Sequence, residues 1–281
     1  MKYYVDSKIL ESDKPLSLRE IFDKLEFGTD VLGAEINGEI KDFYFNPADE
    51  SKIYPIFLGN EKSLTLIRHS TAHILAQAVQ SIYPDTKVTI GPVIEDGFYY
   101  DFYTDRNFTE DDLKLFENKM HEILEKNVSF EKEVINKEKA LEIFSNMGET
   151  FKKEIINDLD DSQEISLYKQ GDWFDLCRGP HLPNSTFIKS FKLLSVAGSY
   201  WRGDETRESL QRIYGTAFSS SKDLKKHLKI LEEAKKRDHR KLGKELDLFS
   251  INEEIGPGLV LWHPNGSVVR NIIENYWREK H

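Results

Sequence analysis

The chain has 281 residues, 39% hydrophobic and 31% charged, which is enough for two or more domains with cores of their own. A net charge of −10 argues against non-specific nucleic-acid binding by the chain as a whole, while leaving room for a local basic strip. One cysteine excludes an intrachain disulfide and suits a reducing, cytoplasmic setting, the opening MKYYVDSKILESDK has no signal-peptide run, and no stretch reaches the length of a membrane span.

Residues 1–61 read as a small separate module. Ser17-Leu18-Arg19-Glu20 is a capping box that opens a short helix through Leu25, with Ile21, Phe22 and Leu25 on its buried face. Ala34 to Lys41 alternates around Asn37-Gly38, a strong hairpin signal. A strand, a helix and a hairpin in so few residues predict a β-grasp-like unit. Nothing in it carries chemistry, so an accessory role is expected.

The region 62–222 opens on an apolar-periodic run, Ile67 to Ile82, predicted as an amphipathic helix. At about 100° per residue, His69, His73, Ala76, Gln77 and Gln80 share one face, and Ile74, Leu75, Ala78, Val79 and Ile82 take the other. Two apolar runs about Asp96-Gly97, within Ile90 to Phe102, predict a hairpin. A helix is expected from Glu110 to Lys126, striped by Leu113, Phe116, Met120, Ile123 and Leu124, and another from Lys137 to Met147, stopped by Gly148. Ile165 to Phe174 and Phe191 to Tyr200 read as strands. With no βαβ rhythm and no glycine-rich phosphate loop, the fold class is α+β.

From Lys222 to Lys244 ten Lys/Arg stand against four Asp/Glu, a net +6 on an otherwise acidic chain. Leu224, Leu228 and Leu231 keep helical spacing, so a basic helix is predicted, either a solvated linker between domains or a contact for phosphates. Glu245 to His281 offers a turn at Gly256-Pro257-Gly258, a strand Leu259–Trp262 and a helix from Ser267 to Lys280. Ile272, Ile273, Tyr276 and Trp277 on that helix have nothing left to pack against, so the segment reads as the start of a further domain that breaks off at His281.

Two stretches carry chemistry. His69 and His73, at i and i+4, bring two imidazoles onto one helical turn, close enough to bind one metal or handle one substrate. The bland reading of such a pair is two satisfied surface or core histidines. About a hundred residues later the only cysteine, Cys177, precedes His181 by four positions, and Gly179-Pro180 between them forbids a helix, so both are presented from a bend. His69, His73, Cys177 and His181 also make a plausible zinc set.

The stretches RHSTAHILAQAV, IGPVIEDGFYYDF, FDLCRGPHLPN, AGSYWRGD, LQRIYGTAF, KRDHRKLGKELDLF and GPGLVLWHPNGSVVRNIIE follow one another in that order. The series closely resembles bacterial-type threonyl-tRNA synthetases, and AEINGEIKDF more weakly resembles their TGS module. The resemblance implies a TGS-like module at 1–61, an editing domain at 62–222, a linker helix at 223–244 and the beginning of a class II catalytic core at 245–281. It implies hydrolysis of serine mistakenly esterified to the threonine tRNA, with that tRNA as partner, and no charging activity. ATP, magnesium and zinc would serve only the absent catalytic core, through which full-length members homodimerise.

Carried over by position, His69, His73, Lys152, Asp175, Cys177 and His181 are expected at the catalytic site, with Tyr100 and Arg178 as substrate contacts. The resemblance favours a site without metal. Alternatives are a free-standing editing hydrolase for alanine tRNA, which shares HxxxH and CxxxH and uses zinc, a non-catalytic RNA-binding module, and a metal-dependent hydrolase of unrelated substrates. All the editing assignments require the two histidine-bearing stretches to meet in one cleft.

Overall fold

The capping box at Ser17 forms as its letters require: the Ser17 hydroxyl accepts from the Glu20 amide, and the Glu20 carboxylate accepts from the Ser17 amide. In the computed structural model, which describes all residues except 161, 162, 253 and 257, that box starts helix α1 (Leu18–Lys24). Around it run β1 (Lys2–Val5), β2 (Lys8–Glu11), β3 (Val31–Ile36), β4 (Glu39–Lys41) and β5 (Lys52–Phe57). They form one sheet in the order β2-β1-β5-β3-β4, with β1 and β5 parallel, the arrangement of a β-grasp. The Asn37–Gly38 turn joins β3 to β4 with positive φ at both residues, the hairpin chemistry that the sequence specifies. Tyr3, Val5, Leu18, Ile21, Phe22 and Ile53 close a core of their own between this sheet and α1.

Next come α2 (Ser63–Ile82), β6 (Lys87–Val88), β7 (Val93–Ile94), β8 (Gly97–Tyr103), α3 (Glu110–Glu125), β9 (Phe130–Ile135) and α4 (Lys137–Asn146). They are followed by α5 (Thr150–Asp158), β10 (Ile165–Gln170), β11 (Trp173–Leu176), β12 (Ser190–Tyr200) and β13 (Ser209–Phe218). One antiparallel sheet runs β12-β13-β8-β6 with β7 added to β8, and a second runs β11-β10-β9. Helix α2 packs on Phe98, Phe102, Phe116, Met120, Ile213 and Ala217. On its other side Gln170 and Trp173 of the smaller sheet hydrogen-bond to His73 O and Gln80.

The apolar face of α2 packs as expected, with Ile74, Leu75, Ala78 and Val79 buried, and the histidine face is also largely covered, His73 and Ala76 being buried and His69, Gln77 and Gln80 partly so. The corrections to the sequence reading are local. The run Ile165–Phe174 is two strands, β10 and β11, folded back at Gly171. Phe151 and Lys152 belong to a helix, α5, for which the sequence reading gave no element. Gly97 is not in the turn but pairs with Ile94, leaving Glu95 and Asp96 as the turn residues. Strands β9 and β13 carry no expectation from periodicity.

The packing defines two units, Met1–Leu224 and Lys225–His281. Lys225–His281 holds most of α6 (Ser221–Lys236), then α7 (His239–Glu245), β14 (Phe249–Ile251), β15 (Val260–Trp262) and α8 (Pro264–Lys280). The predicted single basic helix is therefore two. Asp238 stops the first and caps the second by accepting from the Arg240 amide. Residue 257 of the expected glycine–proline turn lies outside the described residues. Val268, Val269, Ile272, Ile273, Tyr276 and Trp277 on α8 are exposed.

Gly97 faces backbone at close range: a Cβ there would come to 2.1 Å from the Gly215 carbonyl oxygen, whereas one at Gly198 on β12 would meet nothing within 4 Å. Gly97→Ala should cost about 1–3 kcal/mol, which lowers the melting temperature by several degrees, and Gly198→Ala should leave it unchanged within a degree or two. Thermal unfolding followed by circular dichroism checks both.

Candidate active site

The site is built where α2 meets the bend after β11. His69 Nδ1 lies 3.0 Å from the Pro180 carbonyl oxygen, which can only accept. The proton is therefore on Nδ1, and Nε2 of His69 is left as a bare acceptor. One residue on, Ser70 Oγ accepts from the Leu182 amide at 2.9 Å and lies 3.2 Å from His181 Nδ1. The thiol of Cys177 then falls between the imidazoles, its Sγ 3.4 Å from His69 Nε2 and 3.3 Å from His181 Nε2, and it accepts from the Gly179 amide. His73 stands edge-on to His69 and His181, with ring centroids at 5.2 and 4.2 Å. Its Nδ1 is buried and has no hydrogen-bond partner among the described residues.

A cavity of about 420 Å³ opens beside this cluster, within the usual size range of small-ligand pockets. His69, His73, Tyr100, Lys152, Asp175, Cys177 and Arg178 all line it. Seven of the eight residues expected from the sequence thus share one hollow. The eighth, His181, is 2% exposed and stands behind the wall, stacked on Phe130 and against Tyr168. Arg178 is exposed at the rim, where its guanidinium reaches Gln163 Oε1.

Lys152 and Asp175 form a buried ion pair, Nζ to Oδ1 2.7 Å, with side chains 2% and 3% exposed. The other carboxylate oxygen accepts from Tyr100 OH at 2.5 Å, and Oδ1 also accepts from the Leu176 amide. Asp175 therefore has a cation and two neutral donors, the kind of satisfaction that makes a buried charge tolerable. Lys152 comes inward because α5 presents it on the same face as Phe151 and Ile156.

Several cavity residues escaped the sequence reading. Thr89, Ile90, Gly91 and Pro92 arrive from the loop before β7, Ile155 from α5, Leu159 just after it, and Ile165 and Ser166 from β10. The apolar ones among them carried no signal that any core position does not share, and Thr89, Gly91 and Ser166 carried none. Asp42, a buried residue of the module expected to be inert, also reaches this region and accepts from the His181 amide at 3.1 Å.

Burial dominates the electrostatics. It pushes His69 below the ordinary imidazole value, and His73 and His181 well below, the neighbouring imidazoles adding to the effect on both. The same desolvation pushes the Cys177 thiol up to about 12 and Tyr100 well above the usual phenol. At neutral pH the cluster is three neutral imidazoles around a neutral thiol, beside the Lys152–Asp175 ion pair.

The four His/Cys donor atoms lie within 4.8 Å of one another. Tetrahedral zinc bonds of about 2.0–2.3 Å space their ligands roughly 3.3–3.7 Å apart, so this donor set fits such an ion. The Nδ1 contacts of His69 and His181 to Pro180 O and Ser70 are of the kind that orient imidazole ligands.

The lowered imidazole values fix a pH dependence of stability. An unfolded imidazole takes a proton below about pH 6.5, and the folded site refuses it, so stability is retained above that value and lost on acidification. The slope is about 1.4 kcal/mol per pH unit for each imidazole kept neutral. Urea unfolding at pH 7.5, 6.5 and 5.5 should show this fall, and His181→Gln should flatten it.

Residues 165–214 match the family model described as the threonyl and alanyl tRNA synthetase second additional domain. A threonine–tRNA ligase of Clostridium tetani is 49% identical over 278 residues, which is 98% of this chain and 43% of that protein. One from Nitrosococcus oceani is 52% identical over 251 residues, 89% of this chain and 39% of its own. One from Citrifermentans bemidjiense is 51% identical over the same span and shares. The chain spans about two-fifths of the length of these relatives.

Proposed function

The chain is a homologue of threonine–tRNA ligases over nearly all of its length, and from that premise we propose that it removes serine wrongly esterified to the threonine tRNA. The observation that carries this reading is the convergence of two helical imidazoles, a thiol and a buried lysine–aspartate pair on one hollow. The physical need is specific: serine differs from threonine by one methyl, which a synthetic site distinguishes only about 10–200-fold. A second site that hydrolyses the smaller product makes up the difference.

The reaction is ester hydrolysis. Water attacks the aminoacyl carbonyl, the tetrahedral oxyanion collapses, the acyl–oxygen bond breaks, and the ribose oxygen takes a proton as it leaves. His69 or His73 orients the water. His69 has its proton tied to Pro180, so Nε2 is an acceptor, with the Cys177 thiol 3.4 Å away, and His73 has an unpartnered Nδ1. Lys152 stabilises the oxyanion or the terminal ribose. Asp175, held by Tyr100, receives the serine ammonium, and Arg178 at the rim meets a phosphate. Cys177 is a wall residue whose bulk excludes the extra methyl of threonine.

A zinc ion held by three of His69, His73, Cys177 and His181 would leave its fourth position open to a water and would polarise it. Our reading, following the resemblance to threonyl-tRNA synthetases, assigns the hydrolysis to the side chains alone. We further assign residues 1–61 to a TGS-like module, 62–222 to the editing domain, 223–244 to a linker and 245–281 to the beginning of a class II core. Charging with ATP, magnesium and zinc, and homodimerisation, belong to full-length relatives. The partner is the tRNA and the compartment the cytoplasm.

The test is deacylation of seryl- and threonyl-tRNA by the purified chain. Seryl-tRNA should be hydrolysed and threonyl-tRNA spared, and His73→Ala should abolish the activity while leaving the circular dichroism spectrum and melting temperature in place. Hydrolysis of neither ester would instead favour a plain RNA-binding module. Elemental analysis of protein purified without added zinc should find well under one zinc per chain, and a stoichiometric content would hand the water to the metal.

A further inference from the structure

Asp42 follows β4 in the N-terminal sheet, yet its carboxylate is 6% exposed and every hydrogen bond it accepts from outside its own turn comes from around the candidate site. Oδ2 accepts from the Tyr168 hydroxyl and from the His181 amide, while Oδ1 accepts from the Tyr44 amide at 3.1 Å. Among the described residues no cation pairs with it. We infer that Asp42 is a positioning residue for the site: it holds the backbone of the Cys177–His181 bend and so sets where the thiol and the His181 imidazole stand.

Three features carry this. The first is that the donors converge on one group. Two oxygens that only accept are needed, and among side chains of this length only aspartate supplies them, because asparagine would turn an N–H toward a donor. The second is the fit of the bend itself. Gly179 has φ +77°, and a Cβ on it would come to 2.4 Å from the Tyr168 hydroxyl and 2.8 Å from Asp42 Oδ2, so the bend lies directly on this pair. The third is the Tyr168 ring, which packs on His181 at 4.5 Å between centroids, so a change at Asp42 reaches both the main chain and the ring of His181. A buried carboxylate without a cation is costly unless its hydrogen bonds are complete. Here they tie the segment at residue 42 to one 139 residues away.

The experiment reads the bend in two ways, and only the kinetic arm rests on the proposed ester hydrolysis. Cys177 is the only thiol of the chain, so its rate of alkylation by iodoacetamide reports the bend whatever the protein hydrolyses. Asp42→Asn should alkylate at least about fivefold faster than the unaltered chain. It should also lower kcat for seryl-tRNA deacylation by about 10- to 100-fold with KM within twofold, as expected for misplaced but intact groups. Tyr44→Phe is the control for plain docking, since the Tyr44 hydroxyl donates to the Phe130 carbonyl and not to the bend. It should leave both readouts within twofold.

If Asp42→Asn does not fold, Tyr168→Phe, which removes one donor and leaves the carboxylate, should shift both readouts in the same direction by a smaller factor. A folded Asp42→Asn, or failing that Tyr168→Phe, with both readouts unchanged overturns the inference. So does a Tyr44→Phe effect equal to that of Asp42→Asn. If the unaltered chain leaves seryl-tRNA intact, the proposed function falls, and the alkylation rates alone still decide whether Asp42 holds the bend.

Discussion

The contact between α2 and the bend after β11 governs the rest of the site. A histidine on a buried helix gives its Nδ1 proton to a main-chain carbonyl 111 residues further on, and the neighbouring serine bridges to the next histidine and the amide beyond it. These bonds select the tautomer of His69 and close the thiol between two imidazoles. Desolvation then keeps the imidazoles neutral and the thiol protonated, which leaves acceptors where a hydrolytic water needs them.

Against this neutral cluster stands the buried Lys152–Asp175 pair, and its burial raises the stakes of its geometry. An ion pair of this kind contributes little net stability against an apolar replacement of the same shape, whereas breaking it leaves a charge stranded. Such a pair in a pocket wall makes more sense as equipment for a substrate carrying both an ammonium and an ester. An aminoacyl-tRNA end, the substrate proposed above, has both.

What the sequence made legible was local. The capping box at Ser17, the Asn37–Gly38 hairpin and the stripe of α3 each depend on residues within a few positions of one another. The two halves of the site were legible because i, i+4 spacing and a Gly-Pro bend each dictate a presentation, although only the fold could bring them together. Helix α5 was hidden because it begins two residues after Gly148 without a side-chain cap, and because Lys152 faces inward and breaks the apolar rhythm. The β10–β11 hairpin did carry a signal, the Gly171-Asp172 pair at its turn, which a reading of the segment as one strand passes over. Asp42 had no signal at all, since a lone acidic residue after a short strand reads as surface until its donors are known.

The long reach of these contacts also orders events in synthesis. The links that make the hollow join residues 108, 111 and 139 positions apart, so a nascent chain on the ribosome has helix α2 long before it has anything to place against the imidazoles. Contacts of such separation form late because the intervening loop must first be closed. The hollow is therefore completed only once the bend at Cys177–His181 has been made and placed against α2.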